Sequence, residues 1–289
     1  MKMFDEGDLK KLYKPPPGSH KGQNGRLLIV GGSHLFHGAS LWALKVASRI
    51  VDMVFYASVS ENIALTEKLK SELYDFIAID RSKISEYVQE ADVILLGPGL
   101  PREDGREERE ESTKKLVKEL ITTYKDTKRW VIDAGALTEM DPQLLLQLKD
   151  NVILTPHKGE FETLKRKVQS AKFKAATQNL KLKEQVELFA KEYNCIVLLK
   201  GQEDVVCSIK ECVSIVGGNA GMTKGGTGDV LAGLVAALYC KNDAFLAAAA
   251  GSFINKKAGE SLYKSVGPYF NASDLCDEIP KVIKELVLK

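Results

Sequence analysis

The stretch Gly217–Leu238 reads GGNAGMTKGGTGDVLAGLVAAL and falls into two halves. Gly217–Gly228 holds six glycines in twelve residues, too many for a helix or strand interior, where each costs roughly 1 kcal/mol against alanine. Asp229 then opens Val230–Leu238, an apolar run of good helix formers. A loop therefore runs straight into the start of a buried helix. The first turn of such a helix has N–H groups without intrahelical acceptors, at the positive end of the macrodipole. Gly225, Gly226 and Gly228 put no Cβ between those groups and a ligand, so the turn is a cradle for an anion, most often phosphate. The plainer reading is a helix cap, with Thr227 or Asp229 accepting from the same N–H groups; the glycine density favours the cradle. A Walker A loop is excluded because Gly225 follows Lys224, and the dinucleotide fingerprint because the next glycine after Gly228 is Gly233.

An acid beside an anion site suggests chemistry. Asp229 can accept a proton from a hydroxyl attacking phosphorus, while the cradle stabilises charge on the transferred group. The helix start is expected to hold Asp229 ionised, a weak base whose position matters more than its basicity.

Outward from this stretch, strands alternate with helices. Arg26–Val30 is a short apolar strand, Gly31-Gly32-Ser33 ends it, and 38–51 has helical periodicity. Strands are expected at 52–59, 76–80, 91–96, 130–135, 152–156 and 196–201, with 204–209 as a hairpin partner and 211–216 after it. Helices are expected at 85–90, 114–124, 161–192, 229–238 and 244–263, and after a cap at Ser273-Asp274-Leu275. Residues 102–111, dense in acids and arginines, read as a solvated loop and helix start. The fold class is α/β: a single-domain, open, mostly parallel sheet with helices on both faces, whose ligands lie beyond the strand carboxyl ends. Pro15-Pro16-Pro17-Gly18 ends a leader, residues 1–19, and one domain occupies 20–289.

The chain has 289 residues and a formal net charge of +2, which argues against a dedicated nucleic-acid binder. No apolar run approaches a membrane span, and Met1–Lys14 lacks the apolar core of a signal peptide. Five scattered cysteines, without histidines spaced for zinc, read as thiols of a reducing, cytoplasmic compartment. His34 and His37 have no further ligands and read as a loop pair, so no protein-held metal site is expected. His157, in Leu154-Thr-Pro-His-Lys-Gly-Glu160, follows a strand; a lone histidine is usually structural, but its neighbours Pro156, Gly159 and Glu160 shift it towards a site. Lys200-Gly201 reads first as a strand end and turn.

The segment Gly221–Gly233, GMTKGGTGDVLAG, resembles the signature of the ribokinase-like superfamily. Asn219-Ala-Gly-Met and Leu154–Phe161 resemble one branch, the ADP/ATP-dependent NAD(P)H-hydrate dehydratases, as do His20-Lys-Gly-x-x-Gly25 and Gly97-Pro-Gly-Leu100. The resemblance spans about residues 20–280. It departs at Pro101, where glycine is common, at Gly135, where a second acid is common, and at His37, where tyrosine is common.

The resemblance implies a ribokinase-like fold and a lyase that restores NADH or NADPH from its hydrate. The route is phosphorylation of the ring hydroxyl by ATP or ADP through Asp229, followed by loss of phosphate. It implies that Ala39, Gly99, His157 and Asp229 face the substrate. Lys200, Gly201, Gln202, Glu203 and Asp204, with Gly225, Gly226, Thr227 and Gly228, face the nucleotide. Magnesium accompanies the nucleotide, with Asp133 helping through water. A homo-oligomer is expected, with any upstream epimerase a separate protein. Two other readings are a ribokinase-like kinase for a hydroxymethyl-pyrimidine or thiazole alcohol and a non-catalytic nucleotide sensor; an intact Asp229 argues against the sensor.

Overall fold

Leu27–Val30 is buried on both faces, which a strand achieves only inside a sheet covered on both sides. The computed structural model, which describes residues 1–69, 73–105 and 112–288, places this run near one end of such a sheet. In chain order the elements are β1 (Lys2–Met3), β2 (Arg26–Val30), α1 (His37–Ala47), β3 (Met53–Ser58), α2 (Ser60–Leu69), β4 (Ile77–Asp80), α3 (Ile84–Val88), β5 (Val93–Leu96), α4 (Thr113–Tyr124), β6 (Arg129–Ile132), α5 (Ala134–Glu139) and β7 (Val152–Leu154). Then follow α6 (Lys158–Lys167), α7 (Ala171–Thr177), α8 (Leu182–Tyr193), β8 (Ile196–Leu199), β9 (Asp204–Cys207), β10 (Cys212–Ile215), α9 (Thr227–Tyr239), α10 (Ala244–Val266) and α11 (Ala272–Val287).

The ten strands form one sheet in the order β1-β10-β9-β8-β7-β6-β5-β2-β3-β4. Among the described residues only β9 runs antiparallel to its neighbours; the other pairings are parallel. Alternate residues of the strands feed two cores. Leu27 and Ile29 pack with α1, α9, α10 and α11. Leu28 and Val30 pack with α3, α4, α5, α6 and α8. The open, mostly parallel sheet with helices on both faces is thus present. Strand order reverses between β5 and β2, and crevices of this kind open at that point.

The differences from the expected elements have local causes. The expected helix over 161–192 is three helices. Extended Val168 ends α6, and the Ser170 side chain caps α7 by accepting from Phe173 N. The last helix begins earlier than Ser273: Asn271 caps it and Asp274 closes the capping box. Cys207 and Cys212, read as thiols, form a disulfide, because the β9–β10 register sets them opposite one another. Cys195, Cys240 and Cys276 are free and buried. Lys2–Met3 adds an edge strand beside β10, and Leu9 and Leu12 enter the core, so residues of the N-terminal stretch pack against the sheet. Of the charged segment 102–111, residues 106–111 lie outside the described residues. Among the described residues no helix is long and apolar enough to cross a membrane.

Candidate active site

Five adjacent strands end at one edge of the sheet, and each hands a different group to the same region. The glycine loop arrives there as α9. Gly226 occupies the cap position with φ +95°, and a Cβ on it would lie 2.4 Å from the Trp42 ring; only glycine fits. Gly226 offers no side chain at the cap position. For Thr227 the helix-cap reading fails: its Oγ1 donates backwards, to Met222 O at 2.7 Å and Lys224 O at 3.0 Å. The first turn keeps its positive end for a ligand. A Cβ built on Gly228 would stand 3.5 Å from Lys200 Nζ, so the cradle and the end of β8 are neighbours.

Lys200 Nζ donates to Asp133 Oδ1 at 2.9 Å and lies 3.9 Å from Glu160 Oε2. Thr155 Oγ1 donates to the same Asp133 oxygen at 2.8 Å. Burial works to lower the Lys200 pKa, but Asp133, Glu160 and Asp229 outweigh it and the pKa rises. Burial raises the Glu160 pKa, with Lys200 opposing and Asp133 adding to the rise. Asp229 is half-buried, and burial pushes its carboxyl up to about 7, with Asp133 adding to the rise and Lys200 opposing it. This corrects the expected ionised, weakly basic Asp229. A helix start favours a carboxylate by only about 0.3–1 kcal/mol, less than the cost of burying it beside two other carboxyls.

His157 caps α6: its Nδ1 accepts from Glu160 N at 3.2 Å, and Glu160 Oε2 accepts from His157 N at 2.8 Å. An accepting Nδ1 leaves the proton of a neutral ring on Nε2, which lies 3.5 Å from Glu160 Oε1 on a side chain 54% exposed. The exposed His157 side chain thus carries an N–H donor beside Glu160. Gly99, after β5, has φ +75°, and a Cβ there would sit 2.3 Å from Phe36 O, so its loop nests against the one after β2. Ala39 follows in the first turn of α1, half-buried. Arg81 holds this corner by donating to Gly31 O at 2.9 Å and Gly32 O at 2.8 Å.

The expected nucleotide residues separate into two kinds. Gly201, Gln202, Gly225 and Gly226 have surface in the open, and Glu203 pairs with Lys183 at 2.6 Å. Asp204 is buried, with its oxygens taken by Gly201 N at 2.8 Å and Ser252 Oγ at 2.7 Å, so it shapes the turn. Sequence reasoning assigned no role to Thr155, Arg81 or Lys256, and gave Glu160 only as a neighbour of His157. The His-x-x-Glu spacing after a strand, a capping-box pattern, was the signal for Glu160. Among the described residues no group of three His, Cys, Asp or Glu is placed to hold a metal ion.

A family model described as NAD(P)H-hydrate dehydratase matches residues 27–281. The ADP-dependent (S)-NAD(P)H-hydrate dehydratase of Nitrosopumilus maritimus is 35% identical over 277 residues, 92% of this chain and 91% of that one. The bifunctional NAD(P)H-hydrate repair enzyme of Methanocaldococcus jannaschii is 37% identical over 283 residues, 96% of this chain and 52% of that one. The chain thus spans about half the length of the bifunctional relatives it matches. Among solved structures, a ribokinase-like superfamily protein of Enterococcus faecalis shares the fold with a TM-score of 0.81 at 20% identity, over 100% of this chain and 97% of that one. The ADP/ATP-dependent NAD(P)H-hydrate dehydratase of Bacillus subtilis, co-crystallised with ATP/Mg2+, gives 0.77 at 23% identity, over 99% and 98%. With the glycine cradle, the strand-end lysine and the histidine-capped helix in place, the chain belongs to the NAD(P)H-hydrate dehydratase family.

Proposed function

We propose that this protein restores NADH or NADPH from its hydrate, spending ADP or ATP to phosphorylate the ring hydroxyl and then eliminating phosphate. The observation that carries the reading is the place of Asp229, in the first turn of the helix behind the glycine loop and next to Gly228, which neighbours Lys200 Nζ; burial raises its carboxyl to about 7. A base is most effective when its pKa lies near the working pH. Asp229 takes the hydroxyl proton as the oxygen attacks the terminal phosphorus. The N–H groups around Gly228 and the Lys200 ammonium face the charge on the transferred group. Phosphate then leaves with the C–O electron pair, the ring nitrogen's pair assisting, and loss of a proton from the neighbouring carbon regenerates the double bond. His157, Gly99 and Ala39 come from the connections after β7, β5 and β2, and these would face the dinucleotide, with His157 donating to it.

The residues fit a magnesium ion carried in on the nucleotide phosphates: Asp133, Glu160 and Asp229 leave local negative charge around Lys200, and such an ion keeps much of its water. Asp133 and Glu160 would face that water shell, and the ion, when bound, would neutralise phosphate charge.

The test is incubation with hydrated NADH, ADP or ATP, and magnesium. The absorbance of reduced nicotinamide is expected to return with equimolar free phosphate. No recovery, with phosphate retained on a small alcohol instead, would make the protein a kinase.

A further inference from the structure

Lys256 sits in the middle of α10 with a side chain only 8% exposed. Its ammonium donates to Gly201 O and Gln202 O, each at 3.1 Å, and to Gly217 O at 3.4 Å, and stands 3.3 Å from Asp204 Oδ1. These acceptors belong to two separate segments: the turn between β8 and β9, and the start of the glycine loop after β10. Asp204 fastens the same turn from its other side by accepting from Gly201 N at 2.8 Å, and Ser252, one helical turn before Lys256, donates to it at 2.7 Å. A buried ammonium persists only where such partners compensate its lost hydration. Here the compensating groups are backbone carbonyls of the turn after β8 and of the root of the glycine loop.

We propose that Lys256 is the positioning residue of the nucleotide site: it ties the Gly201–Glu203 turn to the root of the glycine loop, so that the two segments keep a fixed separation for one nucleotide. This rests on the reading of the cleft as nucleotide-binding. Lys256 touches no reacting atom, and its effect falls on nucleotide affinity.

The experiment compares wild type, Lys256→Met and the double variant Lys256→Met/Asp204→Asn, which leaves no buried carboxylate without a partner. Calorimetry with ADP and with ATP, steady-state kinetics, and backbone hydrogen exchange over 201–203 and 217–219 are measured on each. Both variants are expected to bind nucleotide about tenfold more weakly, the scale of one lost charge-assisted hydrogen bond, with exchange faster in both segments, and Lys256→Met is expected to keep kcat and the KM for the hydrate. The double variant is expected to regain the melting temperature lost by the single one without regaining nucleotide affinity, because the Gly201 and Gln202 carbonyls still lack their donor. Recovery of affinity in the double variant would reduce Lys256 to a counter-ion and overturn the proposal, as would unchanged exchange in both segments. Exchange needs no ligand, so it decides the tie even if neither nucleotide binds. A wild-type protein that binds nucleotide and leaves the hydrate untouched would instead refute the proposed function and leave the tie standing.

Discussion

Asp229→Asn is expected to make the protein inactive and, at alkaline pH, more stable. The carboxyl titrates at about 7 in the folded protein against 3.8 for an ordinary aspartate, chiefly because it is buried and stands near Asp133. A native acid with a raised pKa holds a proton that the unfolded chain has released, so stability falls as pH rises through the window between the two values. That window runs from about pH 4 to about pH 7; below it both states are protonated, and above it the whole cost is in force. At 1.36 kcal/mol per unit the ceiling is about 4 kcal/mol. Partial solvent contact reduces it to about 1–2 kcal/mol. Asparagine keeps the shape and carries no such cost. Asp229→Asn should therefore melt roughly 2–5 °C above wild type at pH 8, with the gap closing as the pH falls towards 4. Turnover should drop about a hundredfold or more while nucleotide still binds. Calorimetric melts at several pH values and hydrate turnover at pH 8 are the assays. A variant that melts at or below wild type at pH 8 would refute the burial argument, and near-normal turnover would refute the base.

Gly228→Val places a branched side chain 3.5 Å or less from Lys200 Nζ and over the helix start. Nucleotide affinity should fall about tenfold or more, and an unchanged calorimetric Kd would put the cradle elsewhere. Lys200→Met leaves Asp133, Glu160 and Asp229 without their cation and should cost about 2–3 kcal/mol at pH 8. The loss should be smaller at pH 5, below the Asp229 value of about 7, where that carboxyl holds a proton; a loss independent of pH would contradict that cluster. His157→Ala removes both the α6 cap and the ring N–H, costing about 1 kcal/mol of stability and several-fold in the KM for the hydrate. His157→Asn should keep the stability, since asparagine caps well, but not the KM; equal melting of the two variants would remove the capping role.

The order of strands and helices was legible because the inner strands of the sheet are buried on both faces and must read as unbroken apolar runs, as Leu27–Val30 and Ile196–Leu199 do. The glycine loop was legible for a local reason too. Gly226 needs its positive φ, and α9 starts behind it without a side-chain cap, so its composition shows what its backbone does. Lys256 could not be found in this way. In sequence it is the first of two adjacent lysines within a helix, Lys256 and Lys257, and nothing marks which of them faces inward. A partial signal was the spacing of Ala248, Ser252 and Lys256, four residues apart and so on one helical face, all of them buried. The carbonyls that hold its ammonium lie 39 to 55 residues away along the chain.

Asp229 shows where local reasoning gives the wrong sign. A helix start favours a carboxylate and predicts a depressed pKa, but that preference is worth at most about 1 kcal/mol at an exposed terminus. The opposing terms are burial, the largest of them, and two carboxyls brought from other places in the chain. Asp133 comes from the end of β6 and Glu160 from the first turn of α6, and Lys200 joins Asp133 across 67 residues. Their approach is fixed by the strand order, since β6, β7 and β8 are neighbours, and no window around Asp229 contains them. The sheet therefore decides the chemistry of a residue that the glycine loop only places. A carboxyl at about 7 is partly ionised near neutral pH, where an ordinary aspartate would be almost wholly ionised and a far poorer proton acceptor. Strengthening the base requires it to sit among like charges. Lys200, held at 2.9 Å by Asp133, keeps that crowding from driving Asp229 fully protonated, which would leave no base at all.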